Sequence, residues 1–314
     1  MRFLTSQANE ASGFRLERTL TGHGGQVWAL VSSPDSGRAV SGSDDSTVRI
    51  WDLGAGRLER TIDGHSEVLN KVSAVVVTPD GTRIISAGHS RKVLVWSLAT
   101  GVLEQMLEGN IEYVNALAVT PDGRRVVSAG DDETVRVWDL ASGRRGSVLV
   151  GHVGPVTCLT VTSDSKKVVS GGHDKTVRVW DLESGRMEIT LKDHKVAIQA
   201  VAVTPDGRQI VSGARDNTVR VWDGNNGRLV RALEGHTGWV NAVAITPDGT
   251  RVVSGGEDFT VRVWELATGR SEATLKGHTN YVRALAVTPD GRRIVSGSFD
   301  RTVRVWSPVE APSR

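Results

Sequence analysis

The sequence predicts an all-β protein in which seven copies of a four-stranded antiparallel unit pack side by side. One observation is the spacing of seven tryptophans, which lie 45 residues apart once and 42 residues apart five times. A fixed period of this length is typical of stacked supersecondary units. Another is that each period contains short β-branched runs between turn sequences, with no stretch long enough for a helix. The repeating tryptophans are Trp51, Trp96, Trp138, Trp180, Trp222, Trp264 and Trp306.

One repeat, residues 235–275, shows how each unit is built. Its β-branched runs predict four strands, at 240–245, 251–254, 260–264 and 271–275. The TPDG sequence at 246–249 predicts a turn, because proline presets φ and glycine accepts a positive φ. GGED at 255–258 and ATG at 267–269 predict the other two turns. One such sheet cannot bury both of its faces, whereas radial stacking of seven sheets, or blades, buries them in a closed propeller.

These recurring residues resemble the WD-repeat family over residues 14–307. The features shared with it are a Gly-His pair, a Pro-Asp-Gly turn, an aspartate in a second turn and a Trp-Asp ending. The resemblance implies a seven-bladed β-propeller of four-stranded antiparallel blades. The 42-residue period, with TPDG and TVRVWDL repeated almost verbatim, is similar to bacterial WD-repeat arrays, in which the propeller is often the sensor end of a signalling chain. An excised domain, a freestanding protein and a designed one all fit this pattern.

The two ends of the chain predict how the ring closes. The seventh repeat ends at 306–308, where Pro308 blocks further strand pairing and no fourth strand follows. Residues 15–23 match residues 57–65 at seven of nine positions. We therefore expect the N-terminal strand to complete the last blade. The predicted division is an N-terminal tail at 1–13, a single propeller domain at 14–307 and a C-terminal tail at 308–314.

A set of His, Ser, Asp and Trp recurs in five repeats and imitates a hydrolase triad. His lies 28, Ser ten and Asp six residues before the repeat tryptophan. A catalytic serine is a single activated nucleophile beside an oxyanion hole, so five copies around a ring favour a structural role. In the WD-repeat family these positions form a buried hydrogen-bond chain. The complete sets are His23, Ser41, Asp45 and Trp51; His152, Ser170, Asp174 and Trp180; His194, Ser212, Asp216 and Trp222; His236, Ser254, Asp258 and Trp264; and His278, Ser296, Asp300 and Trp306.

Two repeats depart from this pattern. In the second, Ser90 replaces the aspartate, and three extra residues lie between His65 and Pro79. In the third, Asn110 replaces the histidine, so Asp132 is expected to lack its histidine partner. These two blades should be the least stable part of the ring.

Composition narrows the class of protein. The net charge of +2 is too small to attract the protein strongly to nucleic acid or to a membrane surface. The single cysteine, Cys158, cannot form an internal disulfide, and it replaces the small alanine of the other six repeats, which predicts buried packing rather than redox chemistry. No apolar run approaches the ~20 residues of a membrane span, and the N-terminus lacks the apolar stretch of a secretion signal. We expect a cytoplasmic protein, monomeric as an isolated domain, without membrane contact.

The residues that do not repeat predict the functional surface. Every non-repeating Trp and every Tyr lies three or five residues after the His position, at the start of an innermost strand. In a propeller these positions converge on one mouth of the central channel, the usual partner-binding surface of the WD-repeat family. Trp, Tyr and Arg dominate binding hot spots; the alternative is that these aromatics only pack against neighbouring loops. The predicted partner-binding residues are Gln26, Trp28, His89, Tyr113, Asn115, His173, Gln199, Arg215, Trp239, Asn241, Glu257, Tyr281, Arg283 and Phe299.

The functional expectation is a noncatalytic scaffold or sensor that binds a protein or peptide, with no cofactor, metal or catalytic residue. The sequence contains no GxxxxGK[ST], HExxH or CxxC motif. One alternative is a small ligand or carbohydrate in the central channel. Another is nucleic-acid contact through the opposite face, which is disfavoured because aspartates accompany its cations and no aromatics lie between them. Those cations are Arg83, Arg124, Arg125, Lys166, Lys167, Arg208, Arg251, Arg292 and Arg293.

Overall fold

The computed structural model describes residues 13–64, 71–110 and 112–309, and strands are the only regular elements that these segments contain. The described strands form seven sheets of four, and six of these sheets take their strands in chain order. Because β-branched runs alternate with turns, each sheet is an antiparallel meander.

The first three blades contain strands β2 to β13. Blade one contains β2 (Val27–Ser32), β3 (Arg38–Ser43), β4 (Val48–Asp52) and β5 (Arg57–Ile62). Blade two contains β6 (Val72–Val77), β7 (Arg83–Gly88), β8 (Val93–Ser97) and β9 (Leu103–Leu107). Blade three contains β10 (Val114–Val119), β11 (Arg125–Gly130), β12 (Thr134–Asp139) and β13 (Arg145–Val150).

The last four blades contain the remaining strands. Blade four contains β14 (Val156–Val161), β15 (Lys167–Gly172), β16 (Val177–Asp181) and β17 (Met187–Leu191). Blade five contains β18 (Ile198–Val203), β19 (Gln209–Ala214), β20 (Val219–Asp223) and β21 (Leu229–Leu233). Blade six contains β22 (Val240–Ile245), β23 (Arg251–Gly256), β24 (Val261–Glu265) and β25 (Ser271–Leu275). Blade seven contains β26 (Val282–Val287), β27 (Ile294–Ser298), β28 (Val303–Pro308) and the N-terminal β1 (Phe14–Leu20).

The first strand of each blade contacts the first strands of both neighbouring blades, which closes the ring. β1 pairs antiparallel with β28, from Phe14 opposite Pro308 to Leu20 opposite Val303. The guanidinium of Arg293 also donates to both oxygens of Glu17, at 3.0 and 3.1 Å. The seven-bladed all-β fold and its closure by the N-terminal strand are therefore confirmed.

Two strands of blade six differ from their predicted bounds, and one of them, β24, begins and ends one residue later than expected. β22 and β25 occupy the predicted residues, but β23 continues through Gly256, so the prediction of a turn at 255–258 was two residues early. The turn lies at 257–260, with Phe259 at a φ of 65°. The Asp258 carboxylate fixes it there by accepting from the N–H and hydroxyl of Thr260, at 3.1 and 2.8 Å.

The core lies between neighbouring blades. Trp51 is 1% exposed and packs with Leu20, Val27 and residues of blade seven, and six similar clusters fill the other gaps among the described blades. Near the axis, Cys158 is buried as predicted. Burial raises the pKa of its thiol to about 12, so this cysteine is not a nucleophile at neutral pH.

Candidate functional site

The His, Ser, Asp and Trp sets build the frame that holds the loops. In blade one, His23 Nδ1 lies 2.8 Å from Asp45 Oδ2 and His23 Nε2 lies 2.7 Å from Ser41 Oγ. The Trp51 indole N–H donates to the same Ser41 Oγ at 2.8 Å. Ser41 is fully buried and engaged by both neighbours, so it cannot attack a substrate. The other four complete sets make the same contacts at 2.7 to 3.0 Å.

The aspartate of each set joins a loop to a tight turn. Asp45 Oδ2 accepts from the N–H of Gly24 at 2.8 Å, and its Oδ1 accepts from the N–H and hydroxyl of Thr47 at 3.0 and 2.7 Å. Burial alone would raise the pKa of this carboxyl, but hydrogen bonds from His23 and Thr47 outweigh it and hold the pKa well below its usual range. The charged carboxylate therefore anchors the loop at neutral pH.

The two departing blades have different local chemistry. In blade three, Ser128 donates to Asn110 Oδ1 at 3.2 Å, while Asn110 Nδ2 is buried and no described residue accepts a hydrogen bond from it. Asp132 lacks a histidine partner, as expected, and its carboxylate pairs with Arg136 at 2.8 Å. In blade two, Ser90 Oγ is buried and has no partner within the described segments, and His65 lies outside them.

One mouth of the central channel opens into a cavity of about 470 Å³. Of the predicted partner-binding residues, all but Gln26 line it; the main-chain carbonyl of Gln26 accepts from the N–H of Asp44 at 3.0 Å. The lining residues are Trp28, Lys71, Ser73, His89, Tyr113, Asn115, Asp131, Pro155, Thr157, His173, Gln199, Arg215, Trp239, Asn241, Glu257, Tyr281, Arg283 and Phe299.

Sequence reasoning missed Lys71 and Ser73 on this mouth. The three extra residues after His65 displace both from the spacing used to find the other positions. Counting back from the tryptophan would have found them, since Lys71 lies 25 residues before Trp96, as Gln26 does before Trp51.

Aromatic side chains form a patch across blades one and seven. The Trp28 and Phe299 ring centroids lie 4.5 Å apart, and those of Tyr281 and Phe299 lie 5.7 Å apart. On the far side, the His89 ring stacks on Tyr113 at 4.2 Å. Tyr281 and Tyr113 nevertheless stay 36% and 39% exposed, so packing against neighbours leaves contact area free.

Cations lie against these rings. Lys71 Nζ is 3.1 Å from the Trp28 ring centroid, the Arg283 guanidinium is 5.4 Å from the same ring, and the Arg215 guanidinium is 4.5 Å from that of Trp239. Burial, followed by the charge of Arg283, lowers the pKa of Lys71 to about 8. These side chains bring positive charge to an aromatic surface.

Polar side chains of blades three and four join neighbouring innermost strands at the mouth. Asn115 Nδ2 donates to Asp131 Oδ1 at 2.7 Å and to the carbonyl of Val156 at 3.2 Å, in the next blade. Thr157 Oγ1 donates to the carbonyl of Ile198 at 2.6 Å, one blade further. The floor of the mouth is therefore held by bonds between blades.

On the opposite face, some of the predicted cations pair with carboxylates. Arg83 pairs with Glu104 at 2.8 Å and Lys167 pairs with Glu188 at 2.8 Å. Arg251 and Arg293 also have carboxylate partners. Within the described residues, no group of three or more His, Cys, Asp or Glu side chains could hold a metal ion. In the same segments, no helix has the length and apolar character needed to cross a bilayer.

Comparison with known proteins identifies the repeat. The family model described as WD domain, G-beta repeat, matches residues 14–52, 56–97, 227–265 and 269–307, together about half of the chain. A second family model, the fourth β-propeller of WDR90, matches residues 113–245 between them.

Individual relatives match over short segments. The chain is 42% identical over 53 residues to the pre-mRNA-splicing factor PRP46 of Eremothecium gossypii, which is 17% of this chain and 12% of that protein. It is 38% identical over 53 residues to the nuclear distribution protein PAC1 of Tuber melanosporum, with the same shares. It is 36% identical over 67 residues to polyadenylation factor subunit 2 of Neurospora crassa, 21% of this chain and 10% of that protein.

These matches span roughly a tenth of each relative, so they bear on the repeat and not on the activity of the whole relative. The matched repeats, the seven blades and the recurring hydrogen-bond sets agree with one another. The chain belongs to the WD-repeat family of β-propellers.

Proposed function

We propose that this protein is a noncatalytic scaffold or sensor domain that binds a protein or peptide across the channel mouth. The observation that carries the proposal is the convergence of aromatics from separate blades on one cavity. Trp28, Tyr113, Trp239 and Tyr281 come from blades one, three, six and seven, and all four line it. Together they are every Trp and Tyr outside the repeating set. Rings of this kind provide large contact area at little entropic cost and dominate hot spots.

Two further facts support a binding role. One similar protein is, by its name, a subunit of a polyadenylation factor, and this chain shares its repeat. The residues that resemble a catalytic triad have a structural role, because Ser41 is fully buried and hydrogen-bonded to His23 and Trp51. A rigid ring that leaves loop ends free to vary suits recognition rather than chemistry.

The test is a pull-down that compares the wild-type chain with the double variant Trp239→Ala and Tyr281→Ala. We expect recovery of specific partners to fall at least about tenfold, because each ring contributes a hot-spot contact. The melting temperature should change little, since Trp239 is 39% exposed and Tyr281 36% exposed.

A matched control removes two exposed apolar side chains from the outer strands, Leu58→Ala and Met187→Ala. This variant should keep its partners. Equal recovery by both double variants, or loss only in the outer-strand variant, would show that the mouth is not the binding surface.

A small ligand or carbohydrate in the channel is the second candidate. The mouth volume of about 470 Å³ lies within the roughly 300–1,000 Å³ of small-molecule pockets. Saturable binding of a small compound that is lost in Trp239→Ala, without any protein partner, would favour it.

A further inference from the structure

Three cations of the channel mouth are held without a carboxylate partner among the described residues. Lys71, Arg215 and Arg283 come from blades two, five and seven, and all three line the mouth. Their charged groups contact the faces of Trp28 and Trp239, a nitrogen of His173 and the main-chain carbonyl of Asn241. By contrast, Arg83, Lys167 and Arg251 occupy corresponding positions on the opposite face in blades two, four and six, and all three pair with glutamates.

Unused hydrogen-bond donors lie beside these cations. The indole N–H of Trp28, the Nε–H of Arg215 and the hydroxyl of Ser73 are buried and have no hydrogen-bond partner in the part of the chain that the structure describes. Arg283 Nη1 donates to the carbonyl of Asn241 at 3.0 Å, which leaves the other N–H groups of its guanidinium for a ligand. The mouth is therefore rich in donors, and an acceptor-rich anionic group would satisfy them.

Lys71 and Arg283 share one ring, that of Trp28, with their charged groups 3.1 and 5.4 Å from its centroid. Two like charges on one indole repel each other, and Asp44 and Asp131 attract Lys71 only as lesser influences. An anion that bridges the two cations would remove this repulsion.

We propose that the mouth recognises an acidic segment of a protein partner, with a carboxylate bound between Lys71 and Arg283 above the indole of Trp28. This inference rests on the proposed function and specifies the chemistry of the partner. The adjoining Phe299 and Tyr281 rings suit an apolar side chain next to the acid. A continuous polyanion such as RNA fits less well, because Asp131 and Glu257 also line the cavity and would repel it.

Binding through Lys71 should depend on pH. Burial lowers the pKa of Lys71 to about 8, so its positive charge is lost as pH rises through that value. The charged and titratable groups around it are Arg283, Asp44, Asp131 and His89. Burial and the charge of Lys71 lower the pKa of His89 from its usual value, so His89 is neutral between pH 7 and 9, where Lys71 loses its charge.

The experiment selects displayed random dodecapeptides on the full chain and measures Kd for the recovered peptides. The expected peptides carry net negative charge, with an Asp or Glu beside an apolar residue. Their Kd should rise about tenfold or more in Lys71→Gln. Lys71→Arg should bind as tightly as the wild-type chain at pH 7. It should keep that affinity at pH 9, where the wild-type chain binds more weakly. Lys166→Gln, the same charge change at an exposed lysine of the opposite face, is the matched control.

The outcomes separate this inference from the proposed function. Neutral or basic selected peptides, or an unchanged Kd in Lys71→Gln, would overturn the acidic-segment proposal while leaving peptide binding through Trp239 and Tyr281 intact. Tighter binding of an RNA oligonucleotide than of the acidic peptides would also overturn it. If no peptide is selected above the double variant Trp239→Ala and Tyr281→Ala, the proposed function fails as well. The peptide affinity of Arg283→Gln is compared with that of Arg283→Lys, and a melting curve of each variant shows whether it is folded. Unfolding is then not mistaken for lost recognition.

Discussion

At the scale of single residues, blade three shows what the repeated histidine contributes. Asn110 accepts a hydrogen bond from Ser128 at 3.2 Å, but its own Nδ2 is buried and finds no acceptor among the residues that the structure describes. In blade four, His152 joins Ser170 and Asp174 at 2.8 and 2.9 Å. An imidazole has one nitrogen for each neighbour, whereas the shorter amide contacts only the serine.

We therefore predict that Asn110→His stabilises the protein by about 1 kcal/mol, because it pairs a buried donor and restores the missing bond. The reciprocal His152→Asn should cost about 1–3 kcal/mol, since it leaves buried groups of the set unsatisfied. Urea unfolding of both variants measures the free energies. A loss of stability in Asn110→His, or no effect of His152→Asn, would mean that the histidine is not what stabilises the loop.

At the scale of elements, the blades should differ in local stability. Blades two and three, which contain β6 to β9 and β10 to β13, lack one member of the recurring set. Each also contains a buried polar atom that has no partner among the described residues, Ser90 Oγ and Asn110 Nδ2. We predict that amide hydrogens of these two blades exchange faster than those of the corresponding strands elsewhere, because local opening there breaks fewer bonds.

Native-state hydrogen exchange read by mass spectrometry measures this difference. Blade six, which has a complete set, is the internal reference. Equal protection of all blades would contradict the prediction and place the stability of each blade in its apolar contacts alone. Exchange in Asn110→His should slow in blade three and not in blade two.

The elements also show which parts of the structure the sequence could predict. Strands were predictable because alternation and turn residues act locally, as in β22 and β25. The end of β23 was not, since the Asp258 carboxylate, and not the glycines before it, sets the turn. At the mouth, the position of each residue around the ring follows from its place in the repeat. Counting that place from the histidine failed in blade two, because three extra residues precede Lys71. Cation contacts such as that of Lys71 with Trp28 join different blades, and no local pattern encodes them.

At the scale of the whole molecule, recognition depends on an unbroken ring. Residues of the mouth come from all seven blades, so their mutual distances are fixed only while every blade stays in place. Blade seven, in which β1 pairs with β28, is the one sheet of the described chain that joins strands from opposite ends of the sequence. Its closure buries Leu20 and pairs Arg293 with Glu17.

The pairing of β1 with β28 leads to a prediction about truncation. Deleting residues 1–23 removes β1 and leaves β28 as an exposed edge, so the protein should unfold or aggregate. Deleting residues 1–10 removes none of the described residues and should leave the melting temperature unchanged. Because the longer deletion also removes His23, the full-length variant His23→Asn is the control: it should melt lower yet stay folded and soluble. Circular dichroism and size-exclusion chromatography distinguish these cases. A fragment of residues 24–314 that folds with the wild-type melting temperature would mean that β1 is dispensable, and that packing between the innermost strands closes the ring without it.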